Sequence, residues 1–258
     1  MPCIHPSEDP PLGWFVPCLA VADLSASLDW YERLDLVRYG GDPDQGWAML
    51  RNRACEIHLF QGHIPRDLLN FRGGDLDALR AAVEERGLEI ASTEGETSFI
   101  VLDPDGREVF FDTSASEREA YAQGQELTGP TEGDVRAGDG LDLGNLTWCL
   151  SCEDIAATKR FYETLGFVPG GGEPDQGWAI LARADHPPEF GERLVTTTLS
   201  LFEGMIPVDT LNFRGGNVAA IAEVLGGRGV DVNDGVVVAE DGGECLLLKD
   251  PDDRPVFL

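Results

Sequence analysis

Apolar positions along the chain change period in a fixed order. Phe15 to Val21 is a β-rich apolar run; behind it Leu24, Leu28, Tyr31 and Leu34 recur at helical spacing, with Asp23 placed to cap the helix. Leu36 to Tyr39, Trp47 to Leu50 and Glu56 to Phe60 then read as short strands, separated by turns at Asp42 to Gly46 and Arg51 to Arg53. The order starts again with a strand at Leu68 to Arg72, a Gly73-Gly74 turn and a helix capped by Asp75. That helix turns Leu76, Leu79 and Val83 inward and stops at Gly87. Ile100 to Leu102 and Val109 to Phe111 pair across Asp103-Pro-Asp-Gly106. The pattern predicts two βαβββ units.

The same order returns later in the chain. Gly41-Asp-Pro-Asp-Gln-Gly-Trp-Ala48 recurs as Gly172-Glu-Pro-Asp-Gln-Gly-Trp-Ala179, 131 positions on. Leu59 to Gly74 recurs as Leu201 to Gly216, 142 positions on, so the second copy carries an insertion near Asp185 to Arg193. Strands are expected at Leu146 to Ser151, Ala179 to Leu181, Thr196 to Phe202, Leu211 to Arg214, Cys245 to Lys249 and a last one reaching Leu258. Helices are expected near Asp154 to Leu165 and Val218 to Leu225. The expected domains are residues 1–115 and 143–258, joined by an acidic linker over 116–142 with one short helix around Glu117 to Leu127. The two domains are expected to pair within the chain.

Charge removes several function classes. The 258 residues carry 47 acidic and 19 basic side chains, a formal charge of −28, which repels phosphate backbones and anionic membranes. No nucleic-acid or membrane partner is expected. Without a signal-like N-terminus or a bilayer-length apolar run, a cytoplasmic location is expected. Cys149-Leu-Ser-Cys152 has CxxC spacing but lies in a strand run, where residues three apart face opposite ways, and no second pair accompanies it.

Taken together, Val21-Ala-Asp23, Trp30-Tyr-Glu-Arg-Leu34, Glu56-Ile-His-Leu-Phe60 and the Asp103-Pro-Asp-Gly106 hairpin resemble the vicinal oxygen chelate superfamily, which includes glyoxalase I, bleomycin-resistance proteins and extradiol dioxygenases. The resemblance implies an α+β fold of two tandem domains, each a pair of βαβββ units forming a curved mixed sheet around a cavity. It also implies where a divalent metal would be held. Those positions fall on Val16, Glu56, Leu68 and Phe110 in the first copy, and on Thr147, Thr198, Thr210 and Phe257 in the second. Only Glu56 is a metal donor of the usual kind, so no metal and no cofactor are expected, as in the bleomycin-resistance branch.

Strand parity places Glu56, His58 and Phe60 on one face, and Asn70 and Arg72 with Leu68 on one face. The expected ligand contacts are Trp47, Glu56, His58, Asn70, Arg72 and Phe110 in the first copy and Trp178, Asn212, Arg214 and Phe257 in the second. A guanidinium beside an amide suits a carboxylate, phosphate or carbonyl. The guanidinium of Arg72 could alternatively serve only to neutralise Glu56. Two functions follow. One is metal-independent binding of a small, partly aromatic or carbonyl-bearing molecule. The alternative is a glyoxalase-like lyase, isomerase or dioxygenase with a rearranged divalent-metal site around Glu56 and His58, where the imidazole is a general base oriented by the carboxylate.

Overall fold

In the computed structural model the described residues are 9–52, 55–73, 75–114, 140–185, 195–232, 235–238 and 243–258. The first copy runs β1 (Gly13–Ala20), α1 (Leu24–Arg33), β2 (Val37–Asp42), β3 (Trp47–Asn52) and β4 (Cys55–Phe60), then β5 (Leu68–Gly73), α2 (Leu76–Glu85), β6 (Ile90–Glu94), β7 (Ser98–Leu102) and β8 (Glu108–Asp112). The second runs β9 (Gly144–Cys152), α3 (Ile155–Thr164), β10 (Val168–Glu173), β11 (Trp178–Asp185) and β12 (Val195–Glu203), then β13 (Thr210–Gly215), α4 (Val218–Gly227), β14 (Val236–Val238), β15 (Glu244–Lys249) and β16 (Pro255–Phe257). The strands form two mixed sheets of eight, ordered β2-β3-β4-β1-β5-β8-β7-β6 and β10-β11-β12-β9-β13-β16-β15-β14. Strands β6 and β14 stand at sheet edges and were not expected, because neither segment alternates clearly. The helix expected around Glu117 to Leu127 lies outside the described residues.

Each helix starts where an Asp or Asn offers an oxygen to the first turn. Asp23 accepts from the Ser25 and Ala26 N–H groups, Asp75 from Ala78, Asp154 from Ala157 and Asn217 from Ala220. The inward stripes match the helical periods. Leu24 and Tyr31 of α1, and Leu76, Leu79 and Val83 of α2, are all buried.

The chain packs as two compact units, and each takes one βαβββ unit from each copy. One holds β5 to β8 and α2 with α3 and β10 to β12; the other holds α1 and β2 to β4 with β13 to β16 and α4. Strand β1 passes from one to the other after Val16, and β9 after Cys149.

Within each unit the same device fastens the segment of one copy to that of the other. In the first, the β7–β8 hairpin of one copy meets α3 of the other: Tyr162 donates its hydroxyl to Asp103 (3.2 Å), Thr158 donates to Asp105 (2.8 Å), and the Glu153 N–H donates to Asp105 (2.8 Å). Arg107 pairs with Asp103 (2.8 Å) and donates to the Ser151 carbonyl. In the second unit Tyr31 donates to Asp250 (2.9 Å), the Ala22 N–H to Asp252 (2.9 Å), and Arg254 to Asp250, Asp67 and the Ala20 carbonyl. The repeated Asp-Pro-Asp thus supplies carboxylates as well as a turn. Burial and then the charge of Asp250 push the Tyr31 phenol well above its ordinary pKa, so it remains a donor. Burial opposes the charge on Arg254, but Tyr31, Asp67 and Asp250 outweigh it and raise its pKa.

Each tyrosine therefore donates one bond to a buried carboxylate that keeps its arginine. Tyr31→Phe and Tyr162→Phe should each cost about 1.5–3 kcal/mol, the range for hydrogen bonds to charged groups, read from urea unfolding midpoints. A loss at one tyrosine only would show that the two fastenings are not equivalent.

Candidate functional site

The register of β3 against β4 sets Arg51 opposite Glu56, Met49 opposite His58 and Trp47 opposite Phe60. In the parallel pairing of β1 with β4, Cys18 lies beside His58. On the other face, Ala48, Leu50, Ile57 and Leu59 are wholly buried. Strand β4 is thus buried on both faces, and Glu56 and His58 are charged or polar groups inside the protein, at 5% and 3% exposure. A group buried that far must have partners.

It has them. Glu56 receives the Tyr39 hydroxyl and the His58 Nε2 (2.9 Å) on one oxygen and the Arg51 guanidinium on the other. Tyr39 also stands 3.4 Å from His58 Nε2, and the Arg51 guanidinium lies over its ring at 4.8 Å. Burial by itself would raise the Glu56 pKa. The hydrogen bond and charge of His58, the charge of Arg51 and the Tyr39 hydroxyl outweigh it and hold the carboxyl down at about 2. Tyr39 and Arg51 were not anticipated from the sequence. Arg51 read as a turn residue, and Tyr39 sits at a bulge, where the β2–β3 register slips between Arg38 and Gly40.

The second copy keeps the bulge and drops the whole group. Its register slips between Pro169 and Gly171, and Gly41 and Gly172 both have positive φ, with room for no Cβ against Ala48 and Ala179. Where the first copy has Tyr39, Arg51, Glu56 and His58, the second has Gly170, Ala182, Thr198 and Ser200.

In the same unit as Glu56, Trp47 and Phe60 are half-buried beside each other, and His63 bonds the Gln45 carbonyl (2.6 Å). Asn212 pairs in register with Thr147 and Phe257, and its amide approaches the Cys149 sulfur (3.7 Å), while Arg214 is exposed. In the other unit, Asn70 pairs with Phe110, and Arg72 with Asp112. Arg72 makes its ion pair with Asp112 (3.5 Å), while the cation on Glu56 is Arg51. Asn70 is buried and its side-chain oxygen has no hydrogen-bond partner among the described residues. Trp178 is half-buried opposite Phe202.

No family profile matches the chain, and no curated protein resembles it in sequence. Solved structures do. A homoprotocatechuate 2,3-dioxygenase variant from Brevibacterium fuscum matches 99% of this chain and 72% of its own, at 19% identity and a TM-score of 0.61. The enzyme from Arthrobacter globiformis matches 99% and 81%, at 18% identity and 0.58. A Mn(II)-bound glyoxalase from Novosphingobium aromaticivorans matches 95% and 79%, at 18% identity and 0.59. The chain has the tandem vicinal oxygen chelate fold.

The comparison corrects one expectation. That no cofactor is involved does not stand, since the glyoxalase of this fold is a Mn(II) protein. The donors around Glu56 do not fit such an ion as they stand: both carboxylate oxygens are engaged, one by a guanidinium, and His58 turns Nε2 to the same carboxylate. Among the described residues no group of three or more His, Cys, Asp or Glu converges as a metal site. Among the described residues, no helix is long and apolar enough to cross a membrane.

The buried carboxyl makes stability depend on pH with a definite sign. Its folded pKa of about 2 lies below the usual 4.5, so the stabilisation is complete above about pH 4.5 and is lost as pH falls toward 2. The span is worth on the order of 3 kcal/mol. Glu56→Gln should remove that acid-dependent part and cost about 3 kcal/mol at neutral pH by leaving Arg51 uncompensated. Urea unfolding at several pH values would show it. A Glu56→Gln curve parallel to wild type between pH 5 and 2 would exclude the assignment.

Proposed function

We propose that the chain is a small-molecule enzyme of the glyoxalase-like lyase or isomerase kind, in which the Tyr39–Arg51–Glu56–His58 group of the first copy moves a proton on a carbonyl-bearing substrate. The observation that carries this reading is the internal comparison. The second copy builds the same strands and the same bulge with Gly, Ala, Thr and Ser at the four positions, so the scaffold does not need the group. Burying a carboxylate, a guanidinium and an imidazole together costs desolvation that packing residues of similar size would avoid. Function accounts for that cost where folding does not.

The roles follow from the contacts. Glu56, held ionised, is too weak a base to take the proton itself; it fixes the imidazole through the bond at Nε2. His58 is then the proton carrier, and Arg51 keeps the carboxylate in place. The half-buried Trp47, Met49 and Phe60 of the same face offer apolar surface to the body of a small molecule. Fold neighbours support a small-molecule substrate: one dioxygenase of this fold is a complex with 3,4-dihydroxyphenylacetate. They favour turnover over the binding-only reading. In this account the second copy is the non-reacting partner.

Exchange of the α-protons of hydroxyacetone in D2O, followed by NMR on protein as purified and after incubation with Mn(II), tests the reading. Wild type should exchange them above buffer, and His58→Gln should be slower by about 100-fold or more. No exchange by wild type under either condition, or full exchange by His58→Gln, would overturn it.

A further inference from the structure

Within the group, three members are sealed and one is not. Arg51, Glu56 and His58 are buried, while Tyr39 is half-buried and reaches the surface of the face that carries Trp47, Met49 and Phe60. We infer that Tyr39 is the residue of the group that touches the ligand, donating its hydroxyl to an oxyanion or carbonyl oxygen on a small planar molecule. This rests on the reading above that such a molecule occupies this face.

Three features of the geometry point to it. The bulge makes Tyr39 an extra residue with no opposite number on β3, because Arg38 pairs with Leu50 and Gly40 with Met49. A bulge re-aims its side chain out of the strand's regular alternation, and here the hydroxyl lands between Glu56 Oε1 and His58 Nε2. The Arg51 guanidinium over the ring fixes its plane, leaving the hydroxyl torsion as the main remaining freedom. A phenol has one proton and two lone pairs. If the proton turns from Glu56 to a ligand oxygen, Glu56 keeps Arg51, and the single His58 Nε2–H, 2.9 Å from Glu56 and 3.4 Å from Tyr39 Oη, can shift to the freed lone pair of the phenol. The relay would then run from His58 Nε2–H to Tyr39 Oη and from Tyr39 Oη to the ligand oxygen, leaving Nε2 without its proton and the Glu56 carboxylate paired with Arg51.

The bulge itself is not the reason for the tyrosine. The second copy forms it with Gly170 at the matching position, where no phenol is possible. An oxygen ligand with a flat apolar body is therefore the chemistry this position selects, in the first copy only.

The experiment uses two probes on the full chain, 4-nitrophenolate and nitrobenzene, which share a ring and differ in the oxyanion. Wild type should bind 4-nitrophenolate more tightly than nitrobenzene and shift its absorption. Tyr39→Phe keeps the ring and should weaken 4-nitrophenolate about 10-fold to 100-fold, the range for a hydrogen bond to a charged group, without changing nitrobenzene. Equal weakening of both probes would reduce Tyr39 to a packing role, and unchanged 4-nitrophenolate affinity in Tyr39→Phe, or no binding by wild type, would overturn the proposal. The hydroxyacetone assay separates the two readings. If Tyr39→Phe binds like wild type but His58→Gln loses exchange, this inference falls and the proton-transfer reading stands; the reverse pattern leaves Tyr39 as a binding residue and removes the enzyme reading.

Discussion

A carboxylate kept ionised at 5% exposure dictates its own surroundings. Glu56 stands on a strand buried on both faces, so every hydrogen bond it would have made to water must come from the protein. Arg51 meets it because the β3–β4 register sets the two residues opposite each other, His58 because it is two residues along the same face, and Tyr39 because β2 bulges where it does. Loss of any one partner exposes the cost of the others. Around the same carboxylate the protein has assembled a guanidinium, an imidazole and a phenol, the phenol lying against both of the others, a combination that can hold and pass a proton.

The duplication supplies a comparison inside one molecule. Both copies use Asp-Pro-Asp hairpins to fasten the first helix of the other copy, with a tyrosine, a hydroxyl and an arginine at matching places. Asn52 and Arg183 also match: Asn52 donates to the carbonyls of Leu34, Asp35 and Leu141, and Arg183 to those of Leu165 and Pro10. Where folding needs a polar contact, then, both copies provide one. The Tyr39 group breaks that rule, present complete in one copy and absent complete from the other.

Much of this architecture was legible in the sequence. Period changes, capping Asp and Asn residues and the two displaced repeats lead to the βαβββ order, and the alternation in Glu56 to Phe60 correctly puts Glu56 and His58 on one face. What was hidden depended on register. Arg51-Asn-Arg is polar and reads as a turn, yet β3 continues to Asn52 because each polar side chain there finds a buried partner. Tyr39 belongs to no alternation, since a bulge interrupts it. Arg72 looked like the cation for Glu56 because both fall on strand positions facing one way, but a cross-strand neighbour, Asp112, takes it. The expectation of no cofactor rested on one usual donor, Glu56, among the positions implied by the resemblance, and a Mn(II)-bound glyoxalase with the same fold overturns it.

The central claim is that the first copy carries its polar group for chemistry and the scaffold does not require it. Replacing all four residues by their counterparts, as Tyr39→Gly, Arg51→Ala, Glu56→Thr and His58→Ser in one protein, tests it most directly, because no member is left buried without its partners. The account predicts a cooperative unfolding transition close to that of wild type together with complete loss of hydroxyacetone proton exchange. A chain that no longer folds, or one that folds and still exchanges, would contradict it.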